Sequence, residues 1–187
     1  MHPMAAETIR FARPPRGWAR IEETAARVAG QLAKAGGVEE LVSLAEACPA
    51  ADLAPAFAGI VQALTKTDTK EAARVLGICS DRFLPSHEAF RGPVEGLARK
   101  LVASSHFQEL IRLHDIWPAE SIAKVFVDAV SAASKSGQYD DALALLARIH
   151  AISPEHDEDT RAAAVDVAGR LVEDGRWVDV RLVFEAY

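Results

Sequence analysis

Pro49 and Pro118 stand 69 residues apart in this chain, and so do Pro85 and Pro154. The apolar residues between them keep the same interval. Ala25, Val28, Ala29 and Leu32 return 69 positions later as Val94, Leu97, Ala98 and Leu101. Val38, Leu41 and Val42 return as Phe107, Leu110 and Ile111. A third copy follows at a spacing of 70, with Ala164, Val167, Ala168 and Leu171, then Trp177 and Val180. A chain that repeats its apolar pattern in this way is confined to architectures in which each unit buries its face on the next.

Inside one copy the apolar spacing is helical. Gly36-Gly37 stops a first helix, and a second ends before Pro49. Asp52 can cap a third helix and Pro55 falls in its first turn, where a missing N–H costs little. Phe57, Ile60, Val61 and Leu64 form its inward face. Thr67-Asp68-Thr69 turns the chain into a fourth helix carrying Ala72, Val75, Leu76 and Cys79, with either Thr69 or Lys70 at the position of Tyr139. Half the residues are hydrophobic and only 6% are aromatic, so alanine makes up much of the apolar content and lets helices approach closely. The expected fold is all-α. About five hairpins of roughly 35 residues each stack as two and a half copies of the double-hairpin repeat.

The stretch from Ser134 to Pro154 gives the hairpin most clearly. A helix closes at Gly137, Tyr139 opens another, and Tyr139, Ala142, Leu143, Leu146 and Ile149 share one face before a proline stop. At these residues the chain resembles the tetratricopeptide-type helical repeat, whose turn reads Gly-x-Tyr-x-x-Ala-Leu. The resemblance implies a right-handed α-solenoid whose first helices line a concave face and bind a peptide or helix. Glu23, Lys34, Glu95, Arg99, Lys124, Ser131 and Lys135 are the polar candidates on those helices. The chain contains no asparagine, so the asparagine-and-lysine clamp for a terminal carboxylate is absent, which argues against a chaperone-tail adaptor.

Lys34, Lys66, Lys100 and Lys135 each fall near the end of a first helix in four successive hairpins; Glu173 takes that place in the fifth. Two readings fit. A cation at a helix C-terminus gains about 0.3–1 kcal/mol from the helix dipole and needs no ligand. Alternatively, the lysines form a basic ladder suited to an acidic peptide. At the other extreme of the chain, Trp177, Val180, Val183, Phe184 and Tyr187 predict an apolar stripe with no following helix to cover it. Either more chain or another molecule, a second copy included, would cover that end. Residues 1–16 carry Arg10, Arg13 and Arg16 without helical periodicity and are expected to form a flexible basic tail, with the repeat domain at 17–187. Within the tail, Ile9-Arg-Phe11 could dock on this chain or on another.

The formal net charge of −6, from 27 acidic and 21 basic residues, argues against broad contact with nucleic acid or anionic membrane. No apolar run is long enough for a membrane span, and a cytoplasmic location is the default. Cys48 and Cys79 are too few for a disulfide framework and fall in apolar register as reduced core residues. His87 and His156 occupy equivalent places and read as helix-opening residues. His106 lies eight residues from His114, and His114 falls in core register as a satisfied inward histidine. No phosphate loop, nucleophile elbow or HExxH motif occurs, so no catalytic residue, metal or cofactor is expected. The expected function is a protein-interaction scaffold. The alternatives are an RNA-binding repeat of pentatricopeptide type, which the charge and the few aromatics oppose, and a regulatory or assembly domain of a larger polypeptide.

Overall fold

The computed structural model describes residues 18–49, 51–84, 87–118, 120–152 and 158–187. The expected tail, Pro85, Pro154 and His156 lie outside them. The described residues form ten helices and no strand: α1 (Trp18–Ala35), α2 (Val38–Ala47), α3 (Ala54–Thr67), α4 (Thr69–Ser80), α5 (Glu88–Ala103), α6 (Phe107–Ile116), α7 (Glu120–Lys135), α8 (Tyr139–Ile152), α9 (Glu158–Glu173) and α10 (Trp177–Ala186). Each consecutive pair closes as a hairpin, and the five hairpins stack in chain order. The all-α solenoid expected from the repeat is the fold that forms.

Two layers result. The odd helices pack in the sequence α1, α3, α5, α7, α9, and the even helices α4, α6, α8, α10 run alongside them. Alanine and the larger apolar residues share the interface. Ala29, Ala98, Ala129, Ala133 and Ala168 are buried beside Phe57, Phe90, Phe107, Phe126 and Trp117. Small residues on the odd helices let their axes come close, and the rings fill the space between layers. Phe90 and Trp117 meet with ring centroids 4.8 Å apart, and Phe57, Phe83 and Phe90 continue the chain of rings toward α3.

Most hairpin turns share one closure. Gly36, Ser105, Gly137 and Gly175 end α1, α5, α7 and α9 with φ of 74°, 57°, 75° and 75°. At each, the next residue donates its N–H back to a carbonyl five positions earlier, as Gln138 does to Ala133 at 2.9 Å and Arg176 to Leu171 at 2.8 Å. This is the left-handed helix stop that glycine adopts at least cost. The α3–α4 turn is different. Asp68 alone separates the helices, and its carboxylate accepts from the N–H groups of Lys70 and Glu71, both at 3.0 Å. Thr69 therefore opens α4 as Tyr139 opens α8, one residue off the 69-residue interval. Pro55 sits in the first turn of α3, as expected, but the N-cap is Leu53, and Asp52, one position earlier, accepts from the Ala54 N–H at 3.2 Å.

Candidate functional site

Lys34, Lys66, Lys100 and Lys135 all stand in the last turn of their helices, α1, α3, α5 and α7, and all are exposed. Among the described residues none of them enters an ion pair; the cation in every recorded pair is an arginine. The other candidates on odd helices behave differently. Arg99 donates to the Glu95 carboxylate from Nε at 3.1 Å and from Nη2 at 2.9 Å, and its Nη1 reaches toward Asp128 of α7 at 3.9 Å. Glu95 and Arg99 are thus each other's partners. Lys124 is exposed on α7.

The arginines hold the seams between hairpins. Arg74 of α4 reaches Glu39 of α2 at 3.1 Å, and Arg82, just past α4, reaches Glu46 of α2 at 3.3 Å. Arg148 of α8 pairs with Asp115 of α6, and Arg176 with Asp140 of α8 at 2.6 Å. In all four the acid belongs to the earlier hairpin and the arginine to the later one. Sequence reasoning missed these pairs. Only Glu46 and Asp115 recur at the 69-residue interval, the arginines do not, and which two charges meet depends on how the hairpins stack.

The C-terminal hairpin divides its apolar residues between two sides. Val180 and Val183 are buried against the body of the stack. Trp177, Val178, Leu182 and Phe184 project outward, joined by Val165 and Val172 from α9. Tyr187 departs from the expected open stripe. It is half-buried, its ring lies 5.9 Å from His150, and its hydroxyl donates to the Leu146 carbonyl. Burial pushes that phenol up to about 12. At the opposite end, a shallow cleft of about 350 Å³ opens between Ile21, Ala25 and Val28 of α1, Leu44 of α2 and Cys48 just past it.

His87, His114 and Cys79 have structural roles here, whereas Cys48, expected in the core, is only half-buried. His87 caps α5, its Nδ1 accepting from the Ala89 N–H at 3.3 Å. His114 is buried with its ring edge-on to Phe126, centroids 5.3 Å apart, but its Nδ1 has no hydrogen-bond partner. The satisfied inward histidine of the sequence reading is inward without being satisfied. Burial, reinforced by the Arg148 charge, lowers its pKa. Cys79 is fully buried, and burial pushes its thiol up to about 12, away from thiolate chemistry. No group of three metal-ligating side chains occurs among the described residues, and none of their helices is long and apolar enough to cross a membrane.

No protein-family model matches the chain, and no curated protein matches it. Among solved structures, it is similar to a crystal structure of nearly identical TPR-like repeats from a Podosopora anserina protein assigned as a kinesin light chain. The two share 18% identity over 90% of this chain and 93% of that one, with a TM-score of 0.39. A single-substitution form of the same repeats gives the same identity and coverage with a TM-score of 0.38.

Proposed function

We propose that this chain is a protein-interaction scaffold whose odd helices hold an acidic peptide or helix. The observation that carries the reading is the regular placement of four exposed lysines. Among the described residues, seven arginines, with their rigid fork, are spent in ion pairs within the fold, whereas the four lysines repeat at one end of successive odd helices and stay unpaired. In a curved two-layer stack the layer with closer neighbours takes the inner arc. We take the odd helices, rich in alanine at their contacts, for that layer, so Lys34, Lys66 and Lys135 would face a ligand on the concave side together with Lys124. The Glu95–Arg99 pair beside them would select by shape and charge. Rigid helices hold these groups at fixed spacing, which limits the entropy lost on binding. With only 6% aromatic residues, the chain has few rings on which the bases of RNA could stack.

The test is Lys66→Glu combined with Lys135→Glu, titrated with a labelled glutamate-rich peptide at two salt concentrations. Binding is expected to weaken at least about tenfold, in line with the loss of two charge contacts, while the melting curve stays in place. Unchanged binding would reduce the lysines to helix ends that answer only the local dipole.

A further inference from the structure

The five odd helices share one register. Ala25, Phe57, Val94, Phe126 and Ala164 open the inward stripes of α1, α3, α5, α7 and α9, and each stripe continues four and seven residues later. It ends at Leu32, Leu64, Leu101, Ala133 and Leu171. The residue nine places after each opening residue lies half a turn round the helix, because nine steps of about 100° finish opposite their start. That place holds Lys34, Lys66, Ala103, Lys135 and Glu173, and all five are exposed. They form a row across the face of the odd layer that points away from the even helices.

The row has a charge pattern: positive, positive, neutral, positive, negative. Lys100 falls outside it, three residues before Ala103 and so about 60° round the helix. Its lysines enter no ion pair, and among the described residues neither does Glu173. Arg170 of the same helix pairs instead with Asp166 at 3.1 Å. Every charge in the row is therefore left for something outside the fold.

The odd helices meet in chain order, and packed helices lie about 8–10 Å apart. An extended peptide advances about 3.1–3.4 Å per residue, so three of its residues span one helix step. A helical ligand would need an apolar surface to lie on, and among the described residues α3, α5 and α7 expose no large apolar side chain. We propose that this face recognises an extended acidic peptide by the interval between its charges. Acids at the first, fourth and tenth residues meet Lys34, Lys66 and Lys135, the seventh lies over Ala103 without a charge partner, and a basic residue at the thirteenth meets Glu173. A shift of one residue turns an acid to another side of an extended chain, which makes the interval selective. This interval rests on the scaffold reading and adds to it the ligand's conformation, its charge spacing and a reversal of sign at one end.

The test titrates the full chain with labelled thirteen-residue peptides of one composition: three glutamates, one lysine and a serine–proline background. The matched peptide carries its charges at the first, fourth, tenth and thirteenth residues and is made in both chain directions; shuffled peptides cluster the same residues. The tighter matched direction should bind at least about fivefold better than any shuffle, since each exposed charge contact contributes about two- to fivefold. Ala103→Lys should reward an acid at the seventh residue but not at the sixth or eighth. Glu173→Lys should invert the preference at the thirteenth residue from lysine to glutamate, with the melting curve unchanged in both variants. Equal binding of matched and shuffled peptides, or a gain in Ala103→Lys that ignores where the acid stands, overturns the interval. So does tighter binding by a helix-stabilised peptide with an acid at every seventh residue. If all acidic peptides bind alike and Lys66→Glu with Lys135→Glu weakens them all, the scaffold reading stands and the interval alone fails. If none binds, both fail.

Discussion

His114 is a residue whose burial sets a condition on solvent. Its ring lies among Phe126 of α7, Asp115 of its own helix and Arg148 of α8, with Nδ1 unpaired. Burial and the guanidinium both favour the neutral ring. A histidine with a lowered folded pKa contributes fully above its unfolded value of about 6.5 and progressively less as the pH falls below it. The melting temperature should therefore drop between pH 7 and pH 5 by more in the native protein than in His114→Phe. That variant should also gain about 1 kcal/mol at neutral pH by removing a buried unpaired nitrogen. Phenylalanine fits the site's chemistry, since Phe184 holds the same position in the last copy. Parallel pH profiles for the two proteins would assign the acid sensitivity elsewhere. The sequence placed His114 inward by register alone; the missing partner depends on which atoms α7 and α8 bring to Nδ1, and periodicity carries no such detail.

At the scale of the element, the turns decide how each hairpin closes. Gly36, Gly137 and Gly175 take their positive φ freely, whereas Ser105 holds φ 57° with a Cβ. Ser105→Gly should stabilise the protein by up to about 1 kcal/mol and Gly137→Ala should cost about as much, both read from denaturant midpoints at constant slope. Nothing lies within 4 Å of a Cβ built on Gly137, so the cost is conformational rather than a clash. Loss of stability in Ser105→Gly would mean that chain entropy outweighs the relief of strain there. The stops at Gly36 and Gly137 and the helix ends before Pro49 and Pro118 were legible because each acts through its own backbone. The one-residue α3–α4 turn was not. Thr67, Asp68 and Thr69 all suit a turn, and only the two N–H groups gathered by Asp68 settle which one ends the helix.

For the whole molecule, the governing fact is that, among the described residues, each hairpin packs on its neighbours in the stack. Stability is then close to a sum of hairpin terms and seam terms, with the ends sharing one seam instead of two. Amide exchange should be slowest in α3, α5 and α7 and fastest in α1 and α10, a gradient that uniform protection along the chain would refute. The fold was legible at this scale because a 69-residue interval repeats in prolines and apolar residues alike. The surfaces were legible only in part. The unpaired lysines and the aromatic C-terminal end were visible as residue types, but Glu95 and Arg99 turned out to satisfy each other, and Tyr187 to fold back on α8.

Packing of neighbour on neighbour also determines how the molecule would bear a load. Among the described helices, tension applied at the two ends passes through every seam in series. The protein would lengthen hairpin by hairpin, starting from an end that lacks a second seam, and would re-form in the same increments when released. A stack joined in this way is a spring with five coils, and its compliance grows with each hairpin added.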